Sequence, residues 1–187
     1  MAAPLETEEH MAEQTLIDEL NEKMAQERDR LLASLEALSE EQAERSTTGE
    51  GEWSAKQQMS HLCEMDSAYR AWVEKALAED GADLDGVVGD PVAIPLERAH
   101  QHSLAEHAAE LRRQRDLTLA MMAPMRPEDY DRTARNQIFG SLTVLQWLRS
   151  YYRHDRMHYD QVHGEEPTFK PRYAGSEPDQ RRPAASS

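Results

Sequence analysis

Glycine and proline are confined to a few places in this chain, and the long stretches between them carry apolar residues at three-and-four spacing. That period belongs to an amphipathic helix that buries one face, so the chain is built from long helices with little else. The first runs from about Glu13 to Leu38, with Ile17, Leu20, Met24, Leu31, Leu35 and Leu38 on its stripe. After the loop at Ser46–Glu52, a second opens at Ser54, preceded by Trp53, where Gln57 completes a capping-box pattern. It continues to Ala78 and stops at Asp80-Gly81.

A linker with Gly86, Gly89, Pro91 and Pro95 leads to a third helix, Leu96 to Met122, with Leu104, Ala108, Leu111 and Leu119 on or near its stripe. Pro124 and Pro127 end it, and a connection containing Asn136–Gly140 follows. The fourth helix starts near Ser141 or Leu142 and ends at His163-Gly164, with Pro167 beyond. Val87-Val88 and Val92–Ile94 are too short to count as strands. Four such helices and no sheet predict an all-α four-helix bundle. The two later connections each exceed ten residues and permit a crossover in place of simple up-and-down neighbours. Within the 187 residues, 12–165 form one expected domain between a flexible N-terminus (1–11) and a mobile tail (166–187) rich in Pro, Gly, Ser and Arg.

No stretch is apolar enough to span a membrane, and the first residues lack the basic and apolar regions of a signal peptide. A cytoplasmic location is expected, and the single cysteine, Cys63, fits a reducing compartment. The formal net charge of -15 argues against nucleic acid, whose phosphates call for a basic stripe.

The chemistry of the chain rests on histidines. His154 and His158 are four residues apart on the fourth helix and stack on one face, on a stripe through Trp147, Tyr151 and Val162. His61 shares the apolar stripe of the second helix with Met65, Ala68 and Trp72. Any one of these alone reads as a core histidine satisfied by a single hydrogen bond. Three inward imidazoles from two helices, costly to bury without partners, point instead to one metal ion with coordination positions left open.

The other candidates are weaker. His100, His102 and His107 crowd the third helix and read as local structure, His163 suits a helix C-terminus, and His10 lies near the chain start. Cys63 turns away from His61 and reads as a small packed residue. Asp155 and Asp160 read first as solvated or surface-paired carboxylates and second as groups that orient an imidazole. Glu64 is near enough to His61 to be an alternative ligand or base. Glu64 and Asp155 are thus the candidate catalytic groups. Phosphate loops, dinucleotide fingerprints, H-E-x-x-H and nucleophile elbows are lacking.

The string Trp53-Ser-Ala-Lys-Gln-Gln-Met-Ser-His61-Leu, followed by Ser141-Leu-Thr-Val144 leading to His154-x-x-x-His158, resembles the DinB/YfiT-like metalloenzyme superfamily over about residues 12 to 165. The resemblance implies a DinB-like four-helix bundle with a crossover topology, and a divalent metal, zinc or nickel most often, on His61, His154 and His158. It also implies a homodimer and a small-molecule substrate. The expected activity is metal-dependent transfer to or from a low-molecular-weight thiol, or hydrolysis. The alternatives are a non-catalytic metal- or ligand-binding or stress-related bundle, and a helical dimer with no metal.

Overall fold

The computed structural model describes residues 5–46 and 53–170, with side chains from Gln14 onward. Four long helices dominate: α1 (Leu5–Glu36), α3 (Ala55–Ala78), α4 (Leu104–Met122) and α5 (Val144–Val162). A short α2 (Glu40–Glu44) lies between the first two. The chain is a four-helix bundle, as its periodicity predicts. Residues 171–187, most of the expected tail, and His10's side chain lie outside the described residues. No helix among those described is long and apolar enough to cross a membrane.

Helix starts follow one device used four times. Ser39, Ser54, Ser103 and Thr143 each accept a hydrogen bond from the backbone N–H three residues on, and the Gln or Glu side chain there accepts from the capping residue's own N–H. These reciprocal bonds satisfy N–H groups that helical geometry leaves unpaired. They also correct two expected boundaries. Ser103 holds extended backbone, so the expected Leu96–Met122 helix splits into a 3-10 helix (Leu96–Gln101) and α4. Thr143 does the same for α5, which starts at Val144 and not at Ser141 or Leu142.

A small sheet is present that the sequence did not suggest. Strands β1 (Ala82–Asp83), β2 (Thr133–Asn136) and β3 (Gly140–Thr143) pair in that order, β1 with β2 parallel and β2 with β3 antiparallel. Gly140, at φ +78°, takes a left-handed conformation at the start of β3 that side-chain-bearing residues avoid. Val87-Val88 and Val92–Ile94 are not strands.

In the bundle, α1 packs against α5 and α4, and α3 against α4 and α5. The long helices that follow each other as α1 and α3, or as α4 and α5, therefore lie across the diagonals. Two apolar clusters fill the interior. One includes Ile17, Leu20, Met24, Tyr69, Val73, Trp147, Leu148 and Tyr151; the other includes Leu31, Leu35, Met59, Leu62, Cys63, Leu104 and Leu111.

Charged side chains sit between the two clusters along the helices: Arg28, Asp66, Arg115 and Asp155, all buried. Such pairs add little net stability, yet removing one partner costs about 3–5 kcal/mol because a buried charge is left behind. Arg115 also corrects the α4 stripe. The buried face runs Leu104, Ala108, Leu111, Arg115, Thr118, Met122, and Leu119 is exposed. Past residue 165 the chain still touches α5. Phe169 packs against Tyr152, and the Thr168 N–H donates to Asp160 at 2.7 Å.

Candidate metal centre

Helix α3 supplies His61 and helix α5 supplies His154 and His158, and the structure brings all three together. One ligand atom from each lies within 4.8 Å of the others. The Nε2 atoms of His154 and His158 are 2.9 Å apart. The His61 ring centroid stands 5.1 Å from that of His154 and 5.5 Å from that of His158. His154 and His158 are buried, whereas His61 is half-buried, with the Trp53 ring 4.8 Å away.

The far nitrogens decide what the near ones can do. His158 Nδ1 is 3.0 Å from Gln58 Oε1, and the Gln58 amide is itself oriented because its Nε2 donates to the Trp53 carbonyl at 3.2 Å. An amide oxygen only accepts, so His158 carries a proton on Nδ1, and in the neutral imidazole the lone pair is on Nε2. His154 Nδ1 is 3.4 Å from the Tyr69 hydroxyl, which can donate or accept. With its proton on Nε2, His154 donates to His158. With its proton on Nδ1, it donates to Tyr69 and two lone pairs face each other across 2.9 Å. A cation relieves that repulsion.

The donor set fits a divalent metal ion. Imidazole nitrogens suit several first-row metals alike, and three protein ligands leave room for an exogenous one. An ion bonded at about 2.0–2.1 Å draws its ligand atoms to within about 4 Å of each other.

Glu64 and Asp155, the candidate catalytic groups, are occupied elsewhere. Glu64 Oε1 accepts from the Leu96 N–H at 2.9 Å and fastens the linker to α3. Asp155 is fully buried, not solvated, and accepts from Arg28 and Arg115. Burial raises its carboxyl, but the two guanidiniums outweigh that and hold it below the ordinary aspartate range. Asp160 is likewise buried, binding Arg156 at 2.7 Å in addition to Thr168. Each candidate thus has a structural engagement of its own: one Glu64 oxygen with the linker and both Asp155 oxygens with the guanidiniums.

The remaining histidines have local roles. His107 is buried against the Ala99 carbonyl at 2.9 Å, and burial lowers its pKa. His163 caps α5 and meets Ser34 Oγ at 2.8 Å. His102 pairs with Glu106, and His100 reaches Ser54 Oγ. Cys63 packs in the second apolar cluster, where burial pushes its thiol well up. Gln58 and Tyr69 are the site residues that the sequence reading missed. Their signal was available: both are polar-tipped side chains on inward positions of the helix that carries His61.

The sequence profile of the DinB superfamily matches residues 23–162, which includes all three histidines. The chain belongs to the DinB superfamily. The uncharacterised protein YuaE of Bacillus subtilis (strain 168) is 22% identical over 141 residues, covering 68% of this chain and 85% of YuaE. The fold is shared with YfiT from Bacillus subtilis, described as a probable metal-dependent hydrolase with an unusual four-helix bundle topology. That match has a TM-score of 0.64 at 14% identity and covers 78% of this chain and 83% of YfiT. It is shared also with a mycothiol-dependent maleylpyruvate isomerase, with a TM-score of 0.62 at 8% identity, covering 79% of this chain and 60% of the isomerase.

Proposed function

We propose that this DinB protein holds a divalent metal, zinc or nickel, on His61, His154 and His158, and is a metal-dependent thiol S-transferase acting on a low-molecular-weight thiol and a small electrophilic substrate. The observation that carries the metal reading is the meeting of three imidazoles from two helices, with the His158 proton held on Nδ1 by Gln58. A bound metal lowers the pKa of a ligated thiol or water, so that a thiolate or hydroxide is present near neutral pH.

The choice of a thiol over water follows from the carboxylates. Glu64 is spent on the linker, and Asp66 and Asp155 on Arg28. A thiol, with an ordinary pKa of about 8.5, becomes a nucleophile with far less help from a base than water does. Gln58 holds the His158 proton on Nδ1, Tyr69 faces His154 Nδ1, and Trp53 shields one side of His61. The shared fold with a mycothiol-dependent isomerase supports the same reading. The fold shared with YfiT favours a second reading, metal-dependent hydrolysis.

Elemental analysis of protein purified without an affinity tag tests the metal. About one zinc or nickel per chain is expected, and loss of it in His158→Ala. Consumption of a small thiol in the presence of 1-chloro-2,4-dinitrobenzene tests the reaction. It should require metal and fail in the same variant. Metal-dependent ester or amide hydrolysis without thiol consumption would favour the second reading.

A further inference from the structure

Each of the four long helices contributes one buried charge to a single cluster: Arg28 from α1, Asp66 from α3, Arg115 from α4 and Asp155 from α5. The Arg28 guanidinium is its hub. Nη2 donates to Asp66 Oδ2 and to Asp155 Oδ1, both at 2.8 Å. Nε meets the two Asp155 oxygens at 3.2 and 3.1 Å, and Nη1 donates to the Leu111 carbonyl at 2.8 Å. Arg115 Nη2 donates to Asp155 Oδ2 at 2.8 Å, and its Nη1 to the Met24 carbonyl. The Arg28–Asp66 pair spans one diagonal of the bundle and Arg115–Asp155 the other.

The two aspartates sit on the helices that carry the imidazoles. Asp155 directly follows His154, and Asp66 lies five residues after His61. Helices α3 and α5 supply all three histidines and are joined through one guanidinium from α1, which supplies none.

Stability alone is a poor reason for this arrangement. Well-packed apolar residues of similar volume stabilise a bundle at least as well as buried ion pairs. The cluster is not even fully satisfied, because Asp66 Oδ1 and Arg115 Nε have no hydrogen-bond partner. What a guanidinium adds is direction, since its planar fork fits a carboxylate in one register only. A slip of α5 by one residue, about 1.5 Å, would break the fork. Site geometry tolerates errors of only about 0.5 Å.

We infer that Arg28, Asp66, Arg115 and Asp155 are positioning residues for the metal centre: they fix the separation and register of α3 and α5 so that His61 meets His154 and His158. This rests on the reading of the three histidines as metal ligands.

The test replaces all four charges at once, Arg28→Met, Asp66→Leu, Arg115→Met and Asp155→Leu, so that none is left unpaired. Asp155→Asn is made beside it. Helix content and melting are compared after chelation, then zinc affinity by competition with a chromophoric chelator and the visible spectrum of the cobalt-loaded protein. The quadruple variant should fold when stripped of metal, bind zinc about 10–100-fold more weakly and show an altered cobalt spectrum. Asp155→Asn should change both readouts in the same direction by less. A folded quadruple variant with wild-type affinity and spectrum overturns the inference and leaves the metal centre standing. A wild-type protein that takes up no zinc or cobalt overturns both. If the quadruple variant does not fold, Asp155→Asn decides by the same two readouts, and wild-type values there overturn the inference.

Discussion

His158 Nδ1 and Gln58 Oε1 lie 3.0 Å apart, and through that bond one amide fixes which nitrogen of a buried imidazole carries a proton. Replacing Gln58 by Leu leaves the Nδ1–H without an acceptor and the ring free to flip or change tautomer. Zinc affinity should fall about 10–100-fold, the usual effect of losing an outer hydrogen-bond partner of a ligand. Chelator competition measures it, and an unchanged affinity would show that Gln58 does not orient the ring.

Gly89 is placed by contact, not by conformation. A Cβ there would stand 2.5 Å from the backbone of Ser67 and Ala68, where nothing can yield cheaply. The surrounding linker is fastened to α3 by Ser67 donating to the Asp90 carbonyl at 2.7 Å and Trp72 to the Val87 carbonyl at 3.1 Å. Gly89→Ala should lift the linker and lower stability by about 1–3 kcal/mol. The urea midpoint reads this, and an unshifted midpoint counts against the close approach.

Cys63 is the chain's single thiol, buried and held in its neutral form by desolvation. It should be silent toward Ellman's reagent in the native protein and react once per chain in denaturant. Assays of small-thiol consumption then carry no background from the protein. Fast labelling under native conditions would contradict this burial.

Glu106 accepts from the N–H and hydroxyl of Ser103 and faces His102, and these interactions hold its carboxyl down to about 2. A depressed folded-state pKa contributes stability that is complete above the unfolded value of about 4.3 and is lost as pH falls through the folded one. The first turn of α4 should therefore stay capped at pH 4 and fray as pH approaches 2. Carboxyl NMR titration should place the midpoint near 2, and a midpoint in the ordinary glutamate range would show the cap is not formed.

The bundle and the three-histidine cluster were legible because both rest on helical period. His154 and His158 share a face by spacing alone, and His61 lies on a stripe whose other members are apolar. The charged layer was not legible for the opposite reason. Arg115 occupies an inward position that an apolar stripe would skip, which is why Leu119 looked buried and Thr118 did not. Asp155 looked like a solvated carboxylate since its partners, Arg28 and Arg115, are far away in sequence. The sheet was missed because β2 and β3 have four residues each, and each buries one: Ala134 and Leu142. That is too few for an alternation to be seen.

The diagonal placement of consecutive helices has a cost during synthesis. Ile17, Leu20 and Met24 of α1 belong to the apolar cluster that Val144, Trp147, Leu148 and Tyr151 of α5 complete. Those partners are translated more than a hundred residues later. An up-and-down bundle lets each helix close on its predecessor as it leaves the ribosome. Here the N-terminal half of the first helix's stripe waits for the last helix, while Leu31 and Leu35 are met earlier by Leu104 and Leu111 of α4. Nascent chains stalled before α5 are thus the species most exposed to aggregation and to chaperone capture.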